Sequence, residues 1–600
     1  MTRKLILLSI IVVCFSCKKK TETTTKIADL QDRRATDSLL IYLNSEDDAE
    51  RRAAALAFAS VQDTAAIKAL DKLNIVEAAF ALGQMYDPKA TAPLAARLYN
   101  EDPHQLREVY EAFGKVIRNK SDLKAFDTKS SDTLVLAGIA WGIYRAGVRG
   151  VSDSTSVNKV LSILADQSAG KDARLGAAQF FSRVSFRQDR AIGQVLVAAS
   201  KDKDAEIRMA VVNALVKVPR DMAIDGITSA ITDTDYRVRV NAARALRSQP
   251  WDVAKPLFDK LLNDADANVN IATAEVLLNA SADTASLHNW AAHAKNWRTQ
   301  ATLYSILKKA DNEVKAIYLN SDNDYQKAAL FNAITDTDFI FDQFKNNQAK
   351  VIKSSAASRI ADISSNIDIF KYIIADGDQG SIIPVCDALR DTTRGFKKQV
   401  TDYSFLEQAK SKLSLPRDYE TYVPLERTLN YFKGLPPPAP LKNEYNHPID
   451  WTVAASIAKD QHVIIETSKG DIVMRLFIDE APGSVVNFVN LVTSGYFNGR
   501  FFHRVVPNFV IQTGCNRGDG FGSEDYSIRS EFSRRRYKTG SVGMASAGKD
   551  TEGTQWFITH SPTPHLDGKY TIFAEVVSGM DVVHKIEVGD KIVEARLIEY

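Results

Sequence analysis

Arg504 and Gln512 are polar side chains set in a largely hydrophobic stretch near the end of the chain, Phe502-His503-Arg504-Val505-Val506-Pro507-Asn508-Phe509-Val510-Ile511-Gln512. An arginine stays charged at any physiological pH and offers several oriented N–H groups, which makes Arg504 a candidate donor. Neighbouring signals are weaker. Gly518-Asp519-Gly520-Phe521-Gly522 is rich in glycine, but no Lys-Ser or Lys-Thr pair follows, so it reads as a loop and not as a phosphate cradle. No Cys/His cluster has zinc spacing, and no metal is expected.

The surrounding texture is that of a small β-domain. His462-Val463-Ile464-Ile465-Glu466-Thr467 and Asp471-Ile472-Val473-Met474-Arg475-Leu476-Phe477 read as strands joined by a turn at Ser468-Lys469-Gly470. Pro482 to Thr493 reads as a helix with Val486, Phe488, Val489 and Leu491 apolar, and strand character resumes at Phe501. An antiparallel barrel with two helices accounts for this order.

Upstream, from residue 28 to 432, the sequence is poor in glycine and apolar at helical spacing. It also repeats. Asp204-Ala205-Glu206-Ile207-Arg208 is echoed at Asp235-Tyr236-Arg237-Val238-Arg239 and at Asp266-Ala267-Asn268-Val269-Asn270, in steps of 31 residues. Leu215, Leu246 and Leu277 keep the same register, and fainter copies begin at Asp172 and Asp48. A period of this size built from helix pairs is that of an α-solenoid. Each Asp is placed to cap the helix that follows it. The pattern resembles HEAT repeats. Such arrays present a long curved surface suited to protein partners, and a plain spacer is the alternative. Residues 433–459, with Pro436-Pro437-Pro438, read as a stiff linker between the two parts.

Bulk composition limits the choices further. Six hundred residues exceed one core. An apolar fraction of 45% with 25% charged residues excludes disordered, collagenous and polytopic membrane classes. The 76 basic and 74 acidic residues balance to +2, which offers no global argument for nucleic acid.

The chain opens with Arg3 and Lys4 before an apolar stretch from Leu5 to Phe15, the pattern of a signal peptide over residues 1–16. Cys14-Phe15-Ser16-Cys17 resembles a bacterial lipobox, which implies cleavage before Cys17 and its acylation. An ordinary secretory signal with an incidental cysteine is the alternative. Residues 17–27 read as a lipidated polar tether. Of the remaining cysteines, Cys386 and Cys515 fall in different domains and read as buried small hydrophobes.

Over residues 460–600 the sequence resembles the cyclophilin-type peptidyl-prolyl cis–trans isomerases. The resemblance rests on four blocks in order: Ala481-Pro482 with Val485, Asn487 and Phe488; Phe502 through Gln512; Met544-Ala545-Ser546-Ala547 with Gly553-Thr554-Gln555-Trp556-Phe557-Ile558; and Leu566-Asp567-Gly568-Lys569-Tyr570. The implied reaction is rotation about the bond preceding proline, with a barrier of about 18–20 kcal/mol. No bond breaks, so no cofactor is implied, and His503 and His560 are expected to be structural because no proton moves. Arg504 matches the family's catalytic arginine, and Gln512 and Gln555 match residues that orient it or bond substrate backbone. Phe509, Val510, Phe557 and Leu566 match the proline pocket, and Ala545, Ser546 and Ala547 the substrate-backbone strand. His565 stands in place of a tryptophan and Tyr570 in place of a histidine. The resemblances together imply a lipid-anchored protein of a bacterial envelope, outer membrane facing the periplasm, acting on proline-containing polypeptides. Secretion or assembly machinery is the partner expected on the solenoid.

Overall fold

The computed structural model describes residues 23–307, 310–441 and 444–598. The signal peptide, Cys17 and the start of the tether lie outside the described residues. Residues 23–32 are helical and Ile27 is buried, so ordered structure begins inside the stretch read as tether.

The repeat signal corresponds to a physical device. Asp204, Asp235 and Asp266 each accept a backbone N–H two residues on, from Glu206, Arg237 and Asn268, all at 2.9 Å. The repeated arginines do separate work. Arg208 clamps Asp233 of the next repeat through Nε and Nη2 at 2.7 and 2.8 Å, and Arg239 clamps Asp264 at 2.7 and 2.9 Å. Two parallel charge-assisted bonds fix orientation as well as distance, which holds the stacking angle of consecutive repeats. One repeat later Asn270 and Lys295 replace both partners, and Asn270 bonds the carbonyls of Leu261, Leu262 and Asp264 instead. The fainter copies differ. Asp47, not Asp48, caps its helix. Asp172 caps nothing and accepts from Trp141 Nε1 at 2.9 Å and Arg107 at 3.0 Å.

One row of helices, running from Asp48–Val61 through Tyr236–Ala245 to Tyr419–Lys433, stacks each member on the next. After it, the proline-rich linker does not stand free. Tyr445 donates to Asp32 at 2.6 Å, Ile449 N to the same carboxylate at 3.2 Å, and Trp451 Nε1 to Asp29 at 3.4 Å. The linker therefore runs from the last helices of the solenoid back to its first. It also includes a short helix, Trp451–Ser456.

The C-terminal domain is an antiparallel sheet of eight strands: β1 (His462–Thr467), β2 (Gly470–Leu476), β3 (Arg504–Val506), β4 (Val510–Thr513), β5 (Ser541–Met544), β6 (Trp556–Thr559), β7 (Ile572–Ser578) and β8 (Ile592–Leu597). Their order is β3-β4-β6-β5-β7-β2-β1-β8. A bridge between Phe501 and Lys591 joins the two edges and curls the sheet into a barrel. Helix Pro482–Thr493 packs Val485, Phe488, Val489 and Val492 into a core shared with Trp556 and Phe573.

The solenoid wraps this barrel. Arg34 pairs with Asp550 near the start of the row, and Gln84 Nε2 bonds Gly568 O at 2.7 Å. Tyr325 bonds Gly518 O at 2.7 Å, Arg517 pairs with Asp378 at 2.9 Å, and Arg417 lies 3.4 Å from Asp525 near its end. Contacts along the whole length of one row with one compact body require the row to curve around that body. Gly568, at φ +64°, sits where any side chain would strike Gln84. The inner surface of the solenoid thus engages the chain's own C-terminal domain.

The densest part of the contact is ionic and buried. Arg145 bonds Glu111 at 2.9 Å, Asp567 at 2.7 Å and the Pro564 carbonyl; Arg536 pairs with Glu111 and lies 4.4 Å over the Trp141 ring. Burial alone would raise the pKa of Glu111, yet Arg536 and Arg145 hold it well below the usual carboxylate range.

Candidate active site

Register builds the site. β3 and β4 pair antiparallel with Arg504 opposite Gln512, and β4 pairs with β6 so that Gln512 lies opposite Phe557. Directly opposed residues project on the same face of a sheet. The β3–β4 connection turns at Asn508, φ +60°, a conformation asparagine tolerates. Its side chain is held by the carbonyl of Arg237 in the solenoid at 2.6 Å.

A chain of side-chain bonds runs from this register. Arg504 Nη1 donates to Gln512 Oε1 at 3.2 Å, and Gln512 Nε2 donates to Gln555 Oε1 at 3.0 Å. Gln555 Nε2 in turn donates to the carbonyls of Gly520 and Gly522 at 2.8 and 2.9 Å. The glycine-rich loop is thus the anchor of the amide chain. Arg504 itself is exposed, lies 5.6 Å over the Phe509 ring, and has no carboxylate partner among the described residues. Partial enclosure lowers its pKa and Tyr570 opposes that, but an arginine so placed remains a cation. The charge is held in position and left free to act.

Beside it lies an apolar cup. Val510, Phe557 and Leu566 form the floor, at 1%, 5% and 7% exposure, and half-buried Phe509, Ala545 and Tyr570 pack at its edge. Tyr570 stands edge-on to Phe557 at 6.1 Å, and His565 stacks on Phe509 at 5.4 Å. Ala545 N bonds Gln555 O at 2.9 Å, Ser546 is half-buried and Ala547 is exposed, so this strand end offers backbone along one side. Every residue anticipated for the site in this domain is gathered here. Three others were not anticipated. Tyr537 stacks under Phe557 at 5.6 Å and anchors its hydroxyl on Thr571 O, and Phe477 and Ile572 complete the cluster. Tyr537 sits in an irregular, arginine-rich segment, where neither periodicity nor a matching block marks it.

The solenoid also reaches the site. Pro416, Arg417, Asp418, Tyr419, Glu420 and Thr421 share a cleft of about 130 Å³ with Gln512, Ala545–Ala547 and Gln555. Nothing in their sequence marks them, because the segment reads as an ordinary helix start.

The histidines around the site are held below their ordinary range. Burial pushes His503 down to about 4 and His565 to about 3. His560 Nδ1 faces His584 Nδ1 at 3.0 Å, with Tyr236 OH of the solenoid 2.7 Å from His584 and 3.3 Å from His560. Facing nitrogens can share one proton but not carry two. Burial pushes His560 to about 3 and His584 to about 4 from the ordinary 6.5, Arg237 lowering both further and Asp235 and Asp581 opposing at His584. The unfolded chain binds these protons at higher pH than the folded one. The stability of the contact is therefore fully present above pH 6.5 and falls as pH drops toward 4. Protection factors of the amides in helices Tyr236–Ala245 and Met580–Lys585, which remove the intrinsic pH dependence of exchange, are expected to fall over that window in the wild type. A His584→Gln variant is expected to show a flatter pH dependence there, and an unchanged slope would refute the assignment.

Comparison with known proteins matches two parts of the chain. Residues 462–598 match the family described as cyclophilin-type peptidyl-prolyl cis-trans isomerase, and residues 192–279 match HEAT repeats. A peptidyl-prolyl cis-trans isomerase of Helicobacter pylori is 43% identical over 138 residues, 22% of this chain and 85% of that protein. Isomerase B of Bacillus subtilis is 43% identical over 124 residues, 20% of this chain and 87% of that protein. A relative from Rhizopus delemar is 48% identical over 145 residues, 23% of each chain, so the match spans under a quarter of that relative's length. A solved cyclophilin-type isomerase of Cryptosporidium parvum shares 31% identity over 23% of this chain and 98% of its own, with a TM-score of 0.22.

Proposed function

This chain belongs to the cyclophilin-type peptidyl-prolyl cis–trans isomerases through its C-terminal domain, and from that membership we propose that the whole protein isomerises prolyl bonds in exported polypeptides while tethered to a bacterial envelope. The observation that carries the enzymatic half is the Arg504–Gln512–Gln555 chain, which orients a cation without neutralising it. Rotation about the imide bond frees the nitrogen lone pair, and a donor beside that nitrogen stabilises the twisted state more than either planar one. Binding that strengthens only on the way to the transition state accelerates the step. The cup of Val510, Phe557 and Leu566 holds the ring while the preceding carbonyl turns.

Anchoring rests on Cys17 and on the apolar stretch before it, with the outer membrane, periplasmic side, as the expected site. Each buried acyl methylene contributes about 0.8 kcal/mol, so several chains hold a protein firmly. Mass spectrometry of the mature N-terminus is expected to find an acylated Cys17, and Cys17→Ser is expected to release the protein from membranes. An unmodified N-terminus elsewhere in the chain would end the anchoring half and leave the isomerase untouched.

A second reading is favoured by the extent of the wrap. Contacts along the whole solenoid row suit a barrel that serves as a structural hub, in a scaffold or holdase subunit where turnover is dispensable. Normal cellular function of an Arg504→Ala variant would favour it. Partners from secretion or assembly machinery would then dock on the solenoid surfaces facing away from the barrel.

A further inference from the structure

On the far side of the Phe509–His565 stack lies a second cleft, of about 280 Å³, walled by both domains. The barrel contributes Val506–Phe509, Ser561–Thr563 and His565; the solenoid contributes Arg183, Asn213, Asn241 and Arg244 among others. Phe509 lines this cleft and also packs at the edge of the proline cup, so the two are adjacent.

The charges around the cleft do not balance. Arg183, Lys217, Arg244 and Arg247 come from three consecutive repeats at the C-terminal ends of their helices. Lys217 is spent on the carbonyls of Phe181, Ser182 and Val184, and Arg244 on Pro507 O at 2.9 Å and Asn241 Oδ1 at 3.1 Å. Arg183 and Arg247 are exposed and have no hydrogen-bond or ion-pair partner among the described residues. No carboxylate lines the cleft among the described residues, and Glu275, whose charge reaches Arg244, lies 4.0 Å from Arg298. Elsewhere on the inner surface the arginines facing the barrel have carboxylates at hand: Arg145 with Glu111 and Asp567, Arg237 with Asp235. Mutual repulsion is felt within the group. Burial first, then Arg247 and Arg183, push Lys217 down to about 8.

We propose that this cleft is a subsite for acidic residues of the substrate: a carboxylate flanking the proline in the cup lies against Arg183 and Arg244, with Arg247 beyond. The inference rests on the isomerase reading of the cup. An extended chain advances about 3.3 Å per residue. A chain that passes the Phe509–His565 stack, whose ring centroids are 5.4 Å apart, therefore places the carboxylate at least two residues from the proline. The solenoid thereby selects which prolines are presented to the barrel, a selectivity the barrel alone does not carry.

The test uses the full chain and a peptide series of one sequence, with Glu, Gln or Lys two or three residues to either side of the proline. On one side, kcat/KM for Glu is expected to exceed that for Gln by about fivefold, the scale of one or two partly exposed ion pairs. The preference shrinks in 1 M salt, where the screening length falls to about 3 Å. It falls toward unity in Arg183→Gln/Arg247→Gln, and Arg183→Glu shifts it toward Lys. These side chains are exposed and have no ion-pair partner among the described residues, and an unchanged melting temperature verifies folding. Equal rates for Glu, Gln and Lys peptides, or a preference that survives the double variant, would overturn the proposal. Loss of turnover on every peptide would instead strike the isomerase reading. Anisotropy of a labelled Glu peptide, wild type against double variant, then still decides whether the subsite exists. A short oligothymidylate that displaces the Glu peptide at lower concentration than unlabelled peptide does would reassign the cleft to nucleic acid and overturn the proposal.

Discussion

Arg504→Ala lowers kcat/KM for a proline peptide by about 100-fold or more, the loss seen when one preorganised donor is removed from a developing charge. The geometry predicts that this loss falls on kcat. Arg504 is exposed and makes one side-chain hydrogen bond, to Gln512, so the substitution removes little from the folded state. The cup of Val510, Phe557 and Leu566 still binds the ring, and KM changes little. Arg504→Lys restores the charge but not the planar fork that Gln512 orients, and recovers only part of the rate. A standard prolyl isomerisation assay on the full chain reads all of this. Equal rates for wild type and Arg504→Ala would remove the mechanism, whatever the family.

The second large effect is on stability. Arg145→Ala leaves Glu111 and Asp567 buried with one cation fewer, and breaking a buried pair from one side costs about 3–5 kcal/mol. Both acids are about 5% exposed, so water does not replace the missing guanidinium. Arg536 still faces Glu111, while Asp567 keeps the Tyr537 N–H at 2.8 Å but loses the guanidinium bonded to it. The expected results are a lower melting temperature and faster amide exchange across helices Pro103–Val116 and Thr133–Gly147 and the segment around Leu566. Arg33→Ala is the control. Its i,i+4 partner Asp29 is on the surface, and such a change is expected within about 0.5 kcal/mol. If Arg145→Ala behaves like the control, the contact between solenoid and barrel is not the rigid one described.

These two residues differ in how readily their roles could be read in advance. Arg504 stands out because a cation in an apolar strand has no cheap structural explanation, and the blocks around it lie in a recognisable order. Gln512 and Gln555 follow from the same blocks. Arg145 gives no such sign. It follows Tyr144 in a helix rich in Ala, Gly and Ile, and an arginine near a helix end is ordinary. Arg183 is equally silent for the same reason. Tyr537 was invisible because its irregular segment carries no period.

Local and repeated chemistry is written along the chain itself. The 31-residue echo, the capping aspartates and the strand alternation act between near neighbours, so type and spacing suffice to announce a helical array and a barrel, while the cup and the role of its cation followed from the resemblance of four ordered blocks to a known family. The wrapping of one around the other was decided only in three dimensions. Its contacts join residues such as Gln84 and Gly568, or Arg145 and Asp567, hundreds of positions apart. They are made by polar side chains that, read along a single helix, look the same as side chains turned to water. Burial by a distant part of the chain changes what such a residue does without changing what it is.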